Sequence, residues 1–334
     1  KDDMQGVKVT TLNQDLTPAG ATWTAHETRR NWNSMASSSD GTKLVAMADQ
    51  IYTSTDSGAT WTPRESARMW KSVASSSDGT KLIAVEFTGQ IYTSTDSGTN
   101  WTARDNSGFW QSVASSSDGT KLVAAGYFSS IYTSTDSGTN WTARENSRSW
   151  QSVASSSDGT KLVAGEQNGP IYTSMNSGAT WTARGNSRYW QSVASSSDGV
   201  KLVAVVSGGL IYTSTDAGTN WTARESARWW TSVASSSDGV KLVAAVSGGS
   251  IYTSTDAGAT WTPSETNRNW QAVALSSDGA KLVAGAAGGQ IYTSQAEIDL
   301  TYTPAANDYS PRRVRRLMRR PIRSPPPAVR ARAL

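Results

Sequence analysis

Six arginines each stand two residues ahead of a tryptophan: Arg30 before Trp32, Arg68 before Trp70, Arg148 before Trp150, Arg188 before Trp190, Arg228 before Trp230 and Arg268 before Trp270. An indole face can stack on a sugar ring, and a guanidinium can bond hydroxyls or a carboxylate, so the pairing has the chemistry of a shallow glycan pocket. Trp110 keeps the position without the arginine, and Tyr127 and Tyr189 join the candidate set from the variable segments around it. The plainer use of the same residues is packing. Tryptophan wedges between sheets, and exposed pairs such as Arg64/Glu65, Arg144/Glu145 and Arg224/Glu225 contribute about 0–1 kcal/mol each. A second set is acidic: Asp56, Asp96, Asp136, Asp216 and Asp256 occupy matching turns. An aspartate there accepts backbone N–H bonds and replaces lost ladder bonds; a calcium or ligand site is the alternative.

Other chemistry is sparse. The chain has no cysteine and one histidine, His26. That excludes disulfides, thiolate catalysis and cysteine-based metal sites, and it removes most zinc and Ser-His schemes. No metal and no cofactor is expected. No apolar run approaches the ~18–20 residues of a membrane span. A glycosidase places two carboxylates about 5–10 Å apart across a cleft. The non-repeating carboxylates are few, chiefly Glu86, Glu166 and Asp105, and the two glutamates stand two repeats apart. The chain reads as a non-enzyme.

A repeat must position these residues. Ile51-Tyr52-Thr53-Ser54 recurs at 91, 131, 171, 211, 251 and 291, a spacing of forty without gaps. The segment beginning at Trp110 has counterparts at Trp70, Trp150, Trp190, Trp230 and Trp270, with a variant first copy at Trp32. Each unit reads as four short strands, A to D: Ser112–Ser116 ending in Ser-Asp-Gly, Lys121–Ala125, Ile131–Ser134, and Trp141–Arg144 after the turn Thr135-Asp136-Ser137-Gly138. No segment has helical periodicity. Four antiparallel strands per roughly forty residues make a propeller blade. The expected fold is all-β, a seven-bladed β-propeller over 14–304, with an N-terminal extension over 1–13 and an arginine- and proline-rich, disordered tail over 305–334.

Strands A, B and C occur seven times in order, but the turn after the last C is lost at Gln295-Ala296-Glu297. Thr22–His26 precedes the first A and keeps the Gly-x-Thr-Trp signature, so it is expected to supply the outer strand of the last blade and close the ring. Leu300–Thr303 is the competing candidate.

The turn Ser54-Thr55-Asp56-Ser57-Gly58-Ala59-Thr60-Trp61 resembles the Asp-box, or BNR repeat, of the sialidase-like propeller superfamily. Asn176, Pro18 and the lost copy near Gln295 depart from it. The resemblance implies a propeller. Activity does not follow, since the box also occurs in sortilin-like receptors, photosystem assembly factors and non-catalytic propellers. A sialidase would bring an arginine triad, a Tyr–Glu nucleophile pair and an Arg-Ile-Pro motif; no Arg-Ile-Pro occurs here.

The repeats differ in the B–C loops and in the D–A loops just before the repeated tryptophan, and in such a blade both emerge on one face of the disc. Binding is expected there. The leading expectation is a non-catalytic propeller, secreted or at the cell surface, that recognises glycans or a surface protein. The alternative is a structural or assembly scaffold, homo-oligomerisation included, and the third reading is a degenerate glycosidase. Residues 311–334 carry nine arginines and no acid, so residues 1–310 hold −5 of a whole-chain net charge of +4. Basicity therefore belongs to the tail, and no nucleic acid is expected on the propeller.

Overall fold

A computed structural model of the chain describes the backbone of residues 12–17 and 19–302 and the side chains of 19–104 and 107–296. Strand B explains the architecture. Leu122-Val123-Ala124-Ala125 and its copies are apolar without alternation, and all four residues are buried. A strand that is apolar on both sides needs cover on both faces, and each blade receives it from its two neighbours. The result is seven hydrophobic clusters, one per junction between blades.

Blade 1 consists of strands Ser34–Ser37, Leu44–Met47, Ile51–Ser54 and Thr62–Pro63, paired antiparallel in that order. Some later strands run unbroken from one blade to the next; Thr222–Ser235 is strand D of blade 5 and strand A of blade 6. Blade 7 takes strand A from Arg268–Leu275 and strands B and C from Lys281–Gln295. Its outer strand is Thr24–Asn31, with Thr24 opposite Thr293 and His26 opposite Ile291. The N-terminal strand thus closes the ring, as its Gly-x-Thr-Trp signature implied.

Two sets of bonds tie the blades around the axis. The amide of Ser39 donates to the carbonyl of Ser77, and the relay continues through 117, 157, 197, 237 and 277 back to Ser39, at 2.7–2.8 Å each. The seventh link shows that the ring is shut. Serines 37–39 and their copies, with Leu275, also wall the mouth of the central channel on this side, a space of about 180 Å³. One turn inward, the hydroxyls of Ser34, Ser72, Ser112, Ser152, Ser192 and Ser232 each accept an amide from strand A of the next blade, at 3.0–3.2 Å. Ala272 holds the seventh position and has no hydroxyl to offer.

The propeller body spans Thr17–Glu297. The described part of a second unit is a two-stranded sheet of Leu12–Thr17 with Glu297–Tyr302. The described part of the competing strand, up to Tyr302, therefore pairs there and not in blade 7. The arginine-rich stretch from 305 onward lies outside the described residues.

Candidate functional site

The B–C and D–A segments share one face. Gln167 pairs with Tyr189, Ser207 with Trp229, and Ser247 with Asn269. The opposite face is built by the constant turns, where the amides of Ser57, Ser97, Ser137 and Ser177 donate to the A–B turns of their own blades at 2.8–2.9 Å.

On the variable face the expected sugar platforms are core. Trp70, Trp110, Trp150, Trp190, Trp230 and Trp270 are 0–2% exposed, so they offer no ring face to a ligand. Each is wedged at a junction and meets the Ile-Tyr-Thr-Ser tyrosine of its blade edge-on, for example Trp150 and Tyr172 at 5.1 Å between centroids. A wide flat wedge is what two diverging sheets need at the outer layer of a junction. The paired arginines lie over those tyrosines: Arg68 on Tyr92, Arg148 on Tyr172, Arg188 on Tyr212, Arg228 on Tyr252 and Arg268 on Tyr292, at 4.5–5.2 Å. Arginine, tyrosine and tryptophan thus form one stack per blade, which closes the core from above. Blade 3 has Gly108 where the arginine would be and lacks the lid.

The expected ion pairs are re-partnered. Arg64, Arg144 and Arg224 turn away from their neighbouring glutamates and donate Nε to Thr53, Thr133 and Thr213 at 2.8–3.1 Å. Glu145 and Glu225 instead face Arg148 and Arg228. The two non-repeating glutamates are also engaged, Glu86 by Arg68 at 3.7 Å and Glu166 by Arg148 at 3.5 Å.

The turn aspartates are consumed locally. Asp56 Oδ1 accepts from Ser54 Oγ at 2.8 Å and from the Thr60 amide at 2.9 Å, while Oδ2 accepts from Thr60 Oγ1 at 2.6 Å. Those Thr60 bonds, chiefly the hydroxyl, hold the Asp56 carboxyl down at about 2. Gly58 closes the turn at φ 88°, a left-handed conformation that glycine adopts without strain. Asp96, Asp136, Asp216 and Asp256 repeat this, with asparagine replacing the threonine in Asp96, Asp136 and Asp216. These carboxylates are engaged within their own turns, and no group of three potential metal ligands occurs among the described residues.

The exposed chemistry lies elsewhere on the same face. The chain has three phenylalanines, Phe87, Phe109 and Phe128, and all three sit together on blades 2 and 3. Phe87 and Phe109 meet edge-on at 6.0 Å, Phe109 pairs with Tyr127 across the ladder, and Tyr127 and Phe128 lie 6.4 Å apart. Met69 extends the patch, its carbonyl accepting the Phe87 amide. Met69 is 59% exposed, Phe109 51% and Phe128 81%. Tyr127 anchors the group by donating its hydroxyl to Gln151 Oε1; burial, with Tyr189 alongside, pushes its pKa up to about 12. Trp229, 67% exposed, stands on the same face over Gly208.

Phe128 has an unusual backbone. Its φ is 51°, and in blades 4 to 7 the matching positions are Asn168, Gly208, Gly248 and Gly288, all left-handed. An L-residue with a bulky side chain costs about 1–2 kcal/mol in that region. At 81% exposure, packing within the chain does little to offset this. Of the aromatic candidates, Tyr127 and Tyr189 belong to or border this patch; the phenylalanines were not singled out from sequence. Their signal was available in the count, because three phenylalanines at non-repeating positions contrast with tryptophans copied blade by blade.

No protein-family model matches the chain, the Asp-box family included, and no curated relative does. Among solved structures the chain is similar to YCF48 from Cyanidioschyzon merolae, with a TM-score of 0.65 and 20% identity over 82% of this chain and 99% of that one. It is similar to the same degree, at TM-score 0.65 and 20% identity, to YCF48 bound to D1 peptide, over 85% of this chain and 96% of that one. At that identity the likeness concerns the fold, and it places the chain among β-propellers.

Proposed function

We propose that this protein is a non-catalytic propeller that binds a protein partner through the aromatic patch of Met69, Phe87, Phe109, Tyr127 and Phe128. The observation that carries the reading is Phe128, an exposed ring held at φ 51° where sister blades use glycine or asparagine. Strain without internal return is a mark of a residue kept for an external contact. Contiguous exposed aromatics on a rigid scaffold are the usual anchors of protein interfaces. A structurally similar propeller, YCF48, has been solved with a D1 peptide bound, which supports a peptide or protein as the class of partner. Glycan recognition has lost its main support, since the tryptophan ring is buried. Glu86 and Glu166, the carboxylates a glycosidase could have used, are held by arginines.

The test is affinity capture with full-length protein from extracts of its source. Wild type and a Phe109→Ala/Phe128→Gly variant shown to be folded are compared by mass spectrometry. A partner retained by wild type and lost by the variant supports the reading; identical partner sets, or none in either, refute it.

A further inference from the structure

The seven junctions are not equal. Beside strand C, the junctions of blades 1/2, 3/4 and 5/6 leave spaces of only about 10 Å³ each. The matching space between blades 7 and 1 is about 270 Å³. The same lysine, leucine, valine, threonine and serine line both kinds of space: Lys281, Leu282, Val283, Thr293 and Ser294 at the large one, and Lys43, Leu44, Val45, Thr53 and Ser54 at a small one. What differs is the outer strand.

In five blades an arginine on strand D gives its Nε to the strand C threonine, the residue whose copy Thr293 lines the large space. The pairs are Arg64–Thr53, Arg104–Thr93, Arg144–Thr133, Arg184–Thr173 and Arg224–Thr213, at 2.8–3.1 Å. In blade 7 the position is His26, whose Nε2 meets Thr293 Oγ1 at 2.8 Å. An imidazole stops where the arginine stem would continue, so the far end of the groove stays open. Thr22, Thr24, Asp56 and Ser57 surround it with hydroxyls and a carboxylate. Burial lowers the His26 pKa, against the pull of Asp56, which favours the uncharged ring. With His26 neutral, Thr293 lacks the cationic partner that the other five threonines have, and Asp56 and Lys281 are the charged residues that line the space.

We infer that the groove between blades 7 and 1, bounded by His26, Asp56, Lys281 and Thr293, is a binding site for a guanidinium group, the group that five sister blades place against the matching threonine. The ligand class is an alkylguanidinium: a short aliphatic stem against Leu282 and Val283, and a planar cationic head among Thr24, Ser57 and Asp56. The site stands on the face of the constant turns, apart from the aromatic patch, and is independent of the partner reading.

The repeat supplies its own controls. Ethylguanidinium at millimolar concentration is added to full-length protein and the melting temperature is followed. At tenfold excess over Kd, mass action gives a rise of about 2–3 °C for a domain of this size. Ethylammonium, with the same charge but no planar head, should leave the melting temperature unchanged. His26→Arg fills the groove from within and should abolish the rise. Arg144→Ala should open a second groove, at Thr133, and enlarge it. If His26→Arg does not fold, Thr293→Val, which removes the hydroxyl and keeps the shape, should shrink the shift. A non-saturating response, an equal response to ethylammonium, or an undiminished response in His26→Arg or Thr293→Val overturns the assignment.

Discussion

The amide of Gly20 donates to Ser294 Oγ at 2.8 Å, joining residues 274 positions apart. It is the bond that Gly58 makes to Ser54 within one turn at 2.9 Å. Trp23 Nε1 likewise donates to the Gly20 carbonyl, as Trp61 does to Gly58. The seventh aspartate turn is therefore not lost but divided, its serine coming from the end of blade 7 and its glycine and tryptophan from the start of the chain. The aspartate alone is missing. Ser294→Ala leaves a buried amide without an acceptor, and its expected cost is about 1–3 kcal/mol in urea denaturation. If the midpoint is unmoved, the clasp carries no weight in ring closure.

How legible this was depends on what each residue does. Copied residues announce the fold: strand B cannot be apolar on both sides unless sheets flank it, and Ser-Asp-Gly turns at constant spacing leave one architecture. Pro18 and Gln295 each looked like a damaged copy, because a motif split between chain ends is contiguous only in space. The tryptophans were ambiguous for a different reason. Indole suits a wedge and a sugar platform equally, and only burial decides between them. The arginines were assigned by sequence adjacency to glutamates, whereas the strand pairing sets Thr53 and Tyr52 closer than Glu65.

The stacks of Trp150, Tyr172 and Arg148 and their copies predict a gradient of costs. Trp150→Ala removes a fully buried ring and should lose about 3–5 kcal/mol. Arg188→Ala removes a partly exposed cation over Tyr212 and should lose only about 0.5–1 kcal/mol. Denaturant midpoints of the two variants check the order. If Trp150→Ala were as mild as the arginine change, the wedge role would be refuted.

Ala272 is the single gap in the ring of inner hydroxyls. Ala272→Ser places a hydroxyl where six sister blades use one to accept the next blade's amide, here that of Met35. The expected gain is about 0.5–1.5 kcal/mol, the net worth of one added hydrogen bond. Calorimetry on the single variant checks it, and a loss of stability would show that Met35 has taken the space.

Acid should open the turns. Asp56, Asp136 and Asp256 on one face, with Asp78, Asp118 and Asp158 in the A–B turns, have carboxyls lowered to about 2 by hydrogen bonds from neighbouring side chains and amides. Their folded values lie below the unfolded value of about 3.9. The folded state then binds fewer protons, so this stability is complete above about pH 4 and drains away as the pH falls towards 2. Melting temperature against pH should fall steeply across that window. Asp136→Asn should reduce the slope while keeping the turn, since Asn176 accepts the same two bonds at Oδ1 without a charge and reverses the third by donating Nδ2 to Thr180. An unchanged slope would mean that this carboxylate does not contribute to the acid transition.

Phe128 sets stability against binding. At φ 51° the phenylalanine is strained, and glycine at the matching positions 208, 248 and 288 is not. Phe128→Gly should therefore raise stability by about 1 kcal/mol, the relief of the left-handed strain less the added freedom of the unfolded glycine. The same change removes the most exposed ring of the patch and should weaken partner capture. Phe87 and Phe109 remain, so Phe109→Ala is needed to abolish capture, and with the ring 51% exposed it should leave the fold intact. A core residue would give the opposite sign, losing stability on truncation. If Phe128→Gly destabilises the protein, the ring is packing inward and the patch loses its claim to be a docking surface.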